Sequence, residues 1–295
     1  MKPITNHSRS VKDKLLNLMR KSGKEYMYLL ARYFNERLLY RISISRYREN
    51  FVLKGGSLLY ALDGLNARPT VDIDFMGRHI SREEGNLAEA IKEILALECP
   101  EDGVIFDLES IEPSPIAVDK KYPGVRFSFK AMMDTIVHRM SIDIGFGDVI
   151  VPSAINIDYP LLVPTLPSVD IMAYSIETVV AEKFHAMVDR DITNSRMKDF
   201  FDCYVLLSNK ITSLDVLYEA VRETFENRNL LIVPDLQLFT DEFITDKARL
   251  AKWKAFLKKI KWKEELEFKD VMDLIHKILK PMYYRYVEER EGSSN

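Results

Sequence analysis

Cysteine is scarce in this chain: there are two in 295 residues, Cys99 and Cys203, far apart and with neither a CxxC pair nor a ligand-spaced histidine nearby. That excludes a disulfide framework, argues against a zinc site and leaves both thiols to pack as small hydrophobes. No run of about 18 apolar residues occurs, and Met1 to Arg20 is polar and mixed in charge rather than a basic stretch leading into an apolar one. Neither a membrane span nor a secretory leader is expected, and the reading is of a cytoplasmic protein with no membrane partner. Common catalytic signatures are missing as well. The five histidines are scattered, GxSxG is absent, KGGS at 54–57 lacks the spacing of a P-loop, and GFG at 145–147 is too short for a dinucleotide fingerprint. No internal repeat is found.

What is present is a hydrophobic content of 47%, enough for a sizeable core, in a chain long enough for about two domains on the ~150-residue prior. Its most informative stretch is FVLKGGSLLYALDGLNARPTVDIDF, Phe51 to Phe75. An apolar strand enters a Gly-Gly-Ser turn, an apolar segment follows, and a second apolar strand carries two aspartates. Side chains two apart on a strand share a face, so Asp72 and Asp74 can share a cation while Val71, Ile73 and Phe75 face the core. Gly55 and Gly56 lack a Cβ, which lets backbone approach phosphate oxygens closely. A third carboxylate, Asp143, lies in HRMSIDIGFGD with the same alternation, and oxygen ligands of this kind suit Mg²⁺ completed by substrate phosphates. Asp148, just beyond, falls where that strand should end and reads as a turn residue. Paired acids on a strand also occur on plain solvated faces, which is the competing reading.

The net charge of -3 hides a segregation. Residues 1–50 hold twelve basic against four acidic residues, whereas residues 70–120 hold thirteen acidic against four basic. From Lys247 to Lys263 there are eight basic residues and no acidic ones, with Trp253, Phe256 and Trp262 among them, a composition suited to phosphates and stacked bases. A lysine-rich solvated helix face above a hydrophobic stripe has the same composition.

Three parts are expected: a helical segment over 1–50, a strand-rich core over 51–165 and a helical domain over 166–295. Apolar spacings of three and four run through residues 10–49. Strands are expected at Phe51–Leu53, Val71–Phe75, Gly103–Ile111, Val125–Phe129 and His138–Phe146, with a helix from Arg82 to Leu97 capped by Ser81. Prolines at 152, 160, 164 and 167 mark the passage to helices, and Glu288–Asn295 reads as a frayed polar tail. In SIETVVAEKFHAMVDR, Ser175 is an N-cap and Lys183 falls inside the inward stripe, where an ammonium needs a partner. Two readings fit Lys183: a lysine that snorkels to the surface, or one aimed at a triphosphate. The next helix, SRMKDFFDCYVLL, sets Asp199 and Asp202 on one face. Either can hold Lys183 or Arg196 or orient a nucleophile, and both can equally be structural acids.

Taken in order, KGGS, RPTVDIDF, SIDIGFGD, AYSIETVVAEKFHAM and RMKDFFDCYVLL closely resemble the AbiEii/AbiGii nucleotidyltransferase toxins of bacterial abortive-infection toxin–antitoxin pairs, over about residues 50–207. The resemblance implies an α+β (mixed α/β) nucleotidyltransferase fold, similar to DNA polymerase β-like enzymes, with a small mixed sheet flanked by helices and a C-terminal helical domain. It also implies a divalent metal (Mg²⁺ or Mn²⁺), a nucleoside triphosphate donor, transfer to the 3′ end of tRNA in some members, and an antitoxin partner with a winged-helix DNA-binding domain. Carried over by position, Gly56 and Ser57 match the phosphate-contacting turn, flanked by Lys54 and Gly55, and Asp72 and Asp74 match the metal pair. Lys183 matches the lysine of the EK motif, with Glu182 beside it. Asp199 corresponds to a later essential aspartate, for which Asp202 competes. Arg68 belongs to the RPT that precedes DID. The interval from Ser57 to Asp72 is slightly longer than usual for the wider superfamily, though RPT fits the toxin group.

The expected activity is a metal-dependent transfer of NMP from NTP to an RNA acceptor, tRNA in the first place, guided by the basic segments 1–50 and 247–263. A non-catalytic nucleotide-binding module and a metal-dependent phosphohydrolase are the alternatives.

Overall fold

The computed structural model describes residues 6–70, 72–116, 124–209, 211 and 213–292. The chain divides into two compact units, Met1–Gly147 with Ala154–Tyr174, and Asp148–Ser153 with Ser175–Asn295.

The first unit begins with two helices, α1 (His7–Ser22) and α2 (Tyr26–Ile44), where the apolar spacing of residues 10–49 suggested a single helical segment. Gly23 separates them, adopting φ +69° and donating its N–H to the Met19 carbonyl. This is the left-handed cap that glycine supplies without a Cβ penalty. Helix α2 is buried almost all round, including Arg32, Glu36, Arg37 and Arg41. Charges taken out of water need partners. Arg41 pairs with Asp102, Arg37 donates to Glu36 at 2.8 Å, and the Leu162 N–H donates to Glu36 at 2.6 Å. Three of the twelve basic residues of 1–50, Arg32, Arg37 and Arg41, are therefore spent inside the unit.

Strand β1 (Phe51–Lys54) leads directly into helix α3 (Gly55–Asp63), and β2 (Ile73–Gly77) follows. Val71, expected at the start of that strand, lies outside the described residues. Helix α4 (Glu84–Leu95) is shorter than expected, and Glu83 rather than Ser81 occupies its N-cap; the Ser81 hydroxyl instead accepts the Glu83 N–H. Then come β3 (Ile105–Ile116), β4 (Gly124–Met133), β5 (Ile136–Gly145), β6 (Ile155–Tyr159) and β7 (Val169–Ala173). They form a seven-stranded sheet in the order β3-β4-β5-β2-β1-β7-β6, larger than the small sheet the resemblance suggested. The pairs β2–β5 and β1–β7 are parallel and the rest antiparallel.

Two strands correct the expectation that helices follow the prolines. β6 sits between Pro152 and Pro160, and β7 begins after Pro167, so the prolines bound strands instead of replacing them. β3 also outruns its predicted end and carries Pro113 and Pro115, which an edge strand tolerates because no neighbour asks for their missing N–H.

The second unit is helical: α5 (Ile176–Arg190), α6 (Met197–Asn209), α7 (Leu214–Asn227), α8 (Asp241–Thr245), α9 (Lys247–Lys259) and α10 (Phe268–Gly292). Residues 288–292, read as frayed tail, belong to α10, and 293–295 lie outside the described residues. The Ser175 hydroxyl caps α5 by accepting the Thr178 N–H. It also donates to the Val151 carbonyl, while the Val151 N–H donates to the Thr178 hydroxyl at 2.9 Å, so the segment Asp148–Ser153 is stitched to the start of α5. Phe184, Phe225, Tyr286, Phe200 and Phe268 fill the core in tilted and edge-on contacts.

Candidate active site

In the first unit the β1–α3 junction and β2 lie side by side, with Leu53 opposite Phe75 and Lys54 opposite Asp74. Ile73 and Phe75 are buried, which turns Asp74 to the other face of the strand. Asp72 is exposed just ahead of β2. The Gly-Gly-Ser expected as a turn is the first turn of α3, so the unpaired N–H groups and positive end of a helix are found where an anion would be received. Gly55 adopts φ +66°, and a Cβ there would fall 2.1 Å from Asp74 Oδ2; one on Gly56 would fall 2.6 Å from Thr70 Oγ1. The glycines thus make room for Asp74 and Thr70, a reason different from the bare approach to phosphate read in the sequence. The buried Ser57 hydroxyl donates to the Asp72 carbonyl at 2.9 Å and accepts from Arg32 at 3.3 Å. Arg32 is itself fixed by the Tyr159 hydroxyl and by the Tyr60 ring, 3.7 Å from its guanidinium carbon. Lys54 Nζ lies 3.4 Å from the Tyr174 hydroxyl, and Arg68 is half-buried on the segment leading to β2.

Asp143 stands beside Asp74 on the neighbouring strand, but both of its carboxylate oxygens are engaged by Arg126, at 2.6 and 2.7 Å. Among the described residues no group of three or more His, Cys, Asp or Glu is arranged to hold a metal ion. Asp72 and Asp74, two hard oxygen donors at alternate positions beside a helix N-terminus, nevertheless fit Mg²⁺ or Mn²⁺ of the kind completed by water and substrate phosphates.

In the second unit Lys183 does not snorkel. Its Nζ donates to Asp202 Oδ2 at 2.7 Å and to Asp199 Oδ1 at 3.2 Å, and Arg196 Nε reaches the other Asp199 oxygen at 2.5 Å. Both aspartates are 2% exposed. Burial pushes the Lys183 pKa down, yet Asp202 and Asp199 more than reverse this and leave it raised. Burial likewise pushes Asp199 up, and Lys183 and Arg196 bring it below the ordinary value. Lys183 and Asp199 are both held in their charged forms. Glu182, the other half of the EK pair, accepts from Arg228 at 2.5 Å. Asp148 accepts from the same guanidinium at 2.9 Å, an ion pair where the sequence suggested only a turn residue.

A sequence model of the "Nucleotidyl transferase AbiEii toxin, Type IV TA system" family matches residues 37–274, well over half of the chain. The chain belongs to the AbiEii nucleotidyltransferase toxin family. It is a nucleotidyltransferase, and membership of a type IV toxin–antitoxin family implies an NTP substrate and an antitoxin partner. The fold agrees with a crystal structure described as a putative nucleotidyltransferase from H. pylori, at 17% identity and a TM-score of 0.51, covering 90% of this chain and 98% of that one. JHP933 from Helicobacter pylori is also similar, at 17% identity, a TM-score of 0.48 and 89% and 97% coverage. No curated protein matches the chain. Among the described residues no helix is long and apolar enough to cross a membrane.

Sequence reading passed over two residues of this AbiEii-family site, Arg32 and Arg126. Arg126 was within reach, since it alternates with Val125 and Phe127 on a strand that pairs with the one carrying Asp143. Arg32 carried a weaker signal, a charge set among apolar residues on every side of α2. The aromatic residues of 247–263 read differently in three dimensions. Trp253 is buried with its indole N–H on the Leu266 carbonyl, and Trp253, Phe256 and Trp262 all pack on Phe201. That removes a stacking platform and leaves exposed lysines.

Proposed function

We propose that this nucleotidyltransferase moves NMP from an NTP to an RNA acceptor, tRNA in the first place, with a divalent cation held by Asp72 and Asp74. The observation that carries the reading is the β1–α3 junction beside β2, where Gly55 admits the Asp74 carboxylate and the Ser57 hydroxyl fastens the Asp72 carbonyl. When bound, the cation supplies Lewis-acid charge for the triphosphate. The chain's own groups do the rest. The backbone N–H groups of the first turn of α3, that of Ser57 among them, and Lys54 receive phosphate oxygens. Within the second unit Lys183 is held charged by its two aspartates, at the position that the resemblance assigns to the EK motif. The acceptor hydroxyl oxygen forms a bond to the α-phosphorus as the bond to the bridging oxygen breaks, releasing pyrophosphate and a proton. The exposed lysines on and after α9 support a polyanionic acceptor through charge alone. A winged-helix antitoxin is the partner this reading expects, and a cytoplasmic location accords with it.

Purified chain incubated with Mg²⁺, α-labelled NTPs and total tRNA is expected to yield labelled tRNA, and Asp74→Asn to abolish it. Label recovered only as free nucleotide would indicate hydrolysis and overturn transfer. Undiminished labelling by Asp74→Asn would overturn the site.

A further inference from the structure

The sheet face that carries Asp74 continues along β4 and β5 well past the site. Phe127, Phe129, Ile142 and Ile144 are buried on one side, so the residues between them stand on the other. Register partners share a face, and Asp143 lies opposite Asp74, with Ser141 opposite Ser128, Arg139 opposite Lys130 and Val137 opposite Met132. Moving away from the Asp74 row, the face therefore presents a row of hydroxyls, a row of two cations and an apolar row, to which β3 adds Ile105 opposite Met132. The cations stand four residues from the Asp143 row, about 13 Å at ~3.3 Å per residue. Lys130 and Arg139 are exposed and line a groove of about 330 Å³ together with Asp107 and Glu112. Like charges directly opposite one another cost stability, yet neither cation forms an ion pair with any described residue. The groove has a built wall. β3 leaves regular register between Asp107 and Glu112, and the Ser110 hydroxyl accepts the Lys130 N–H at 2.8 Å and donates to the Asp107 carbonyl at 2.7 Å. The Asp107 carboxylate accepts the Glu109 N–H at 3.2 Å within the same irregularity. Beyond the cations, Ile105 and Val137 are 66% and 62% exposed, an apolar ledge at the end of the band.

We propose that this band is the track on which the single-stranded end of the acceptor RNA lies as it reaches the site, with Lys130 and Arg139 on a backbone phosphate and Ile105 and Val137 under an unstacked base. Ser128 and Ser141 offer hydroxyls to the nucleotide between. The acids of β3 repel phosphate and so confine the backbone to the β4–β5 side of the groove. Contacts of this kind position a strand without reading its sequence. The proposal rests on the acceptor reading made above and adds to it residues in the same unit as Asp72 and Asp74.

The test compares the full chain with the double variant Lys130→Gln/Arg139→Gln and with Lys92→Gln/Lys269→Gln, which removes the same charge at exposed positions on α4 and α10. Binding of total tRNA is followed by fluorescence anisotropy without NTP across a range of salt, labelling kinetics are measured with α-labelled NTP, and folding is checked by circular dichroism. Lys130→Gln/Arg139→Gln is expected to weaken tRNA binding about tenfold or more and to flatten its salt dependence by about one in the log–log slope. It should raise the KM for tRNA to a similar degree while the KM for NTP stays near wild type, a split that a merely structural defect would not give. The control pair stays near wild type throughout. Val137→Ser, a smaller change on the ledge that leaves the charges in place, is expected to weaken tRNA binding at every salt concentration alike, and serves if the double variant does not fold. A folded double variant that binds and labels tRNA like wild type, or a control pair that loses as much, overturns the track and leaves the acceptor reading standing; so does a Val137→Ser chain unchanged in binding where it is the variant tested. A wild-type chain that neither binds nor labels tRNA overturns the acceptor reading and this proposal with it.

Discussion

Gly55 and Gly64 both have positive φ, at +66° and +57°, but their surroundings differ: a Cβ on Gly64 meets nothing within 4 Å, and one on Gly55 meets the Asp74 carboxylate at 2.1 Å. Gly64, with ψ −136°, lies outside the left-handed helical well, and Gly64→Ala is expected to cost about 1–3 kcal/mol of backbone strain and nothing at the site. Gly55→Ala adds to that strain the displacement of Asp74, and is expected to lose Mn²⁺ and NTP binding as well as stability. Urea unfolding and a Mn²⁺ titration on both variants separate the two effects, and a Gly55→Ala chain that binds like wild type would show that Asp74 needs no such room. Ser57 belongs to the same scale. It is buried and bonded to Arg32 and to the Asp72 backbone, so its hydroxyl fastens the segment entering β2 to the start of α3.

Helices α5 and α6 are joined by the Lys183–Asp199–Asp202 cluster, and Lys183→Met takes the ammonium away from two buried carboxylates, of which Asp199 keeps Arg196. Breaking a buried pair from one side costs about 3–5 kcal/mol, measurable as a lower urea midpoint. The sign of the pH dependence follows from the shifts. Asp199 is depressed in the fold from an ordinary 3.8, so its contribution is present above that value and lost as pH falls through the folded pKa. Lys183 is raised from 10.5, so its contribution is present below that value and lost as pH rises through the folded pKa. Thermal midpoints are therefore expected to hold a plateau between these limits and fall on both sides, with Asp199→Asn removing part of the acid limb. Elements with one buried face were legible in the sequence: the alternation of β2 and β5 placed Asp74 and Asp143 correctly on their strands. β6 is hard to read although Ile155, Ile157 and Tyr159 alternate cleanly, because prolines flank it and act there as borders and not as breaks. The roles of charges were the least legible, since a count of arginines in residues 1–50 does not tell that Arg32, Arg37 and Arg41 face inward. That depends on partners such as Asp102 and Tyr159, brought close only by the fold.

At the scale of the molecule, the two units are not two consecutive pieces of chain. The first gives way at Gly147, the segment Asp148–Ser153 belongs to the second, and Ala154–Tyr174 returns to supply β6 and β7. A fragment beginning at Ser175 keeps every helix of the second unit but loses Val151, whose backbone groups bond Ser175 and Thr178, and Asp148, which shares Arg228 with Glu182. It is expected to melt several degrees below the same fragment supplied with a 148–153 peptide, or to stay unfolded until the peptide is added; identical melting would show that the segment is dispensable. The six-residue segment also bears on synthesis. A nascent chain ending at residue 147 lacks two strands of its sheet, and one ending at residue 174 carries a stretch whose receiving helix has not been made. The chain for the first unit is complete only after residues 148–153 of the second have been made, so the two units overlap in the order of synthesis.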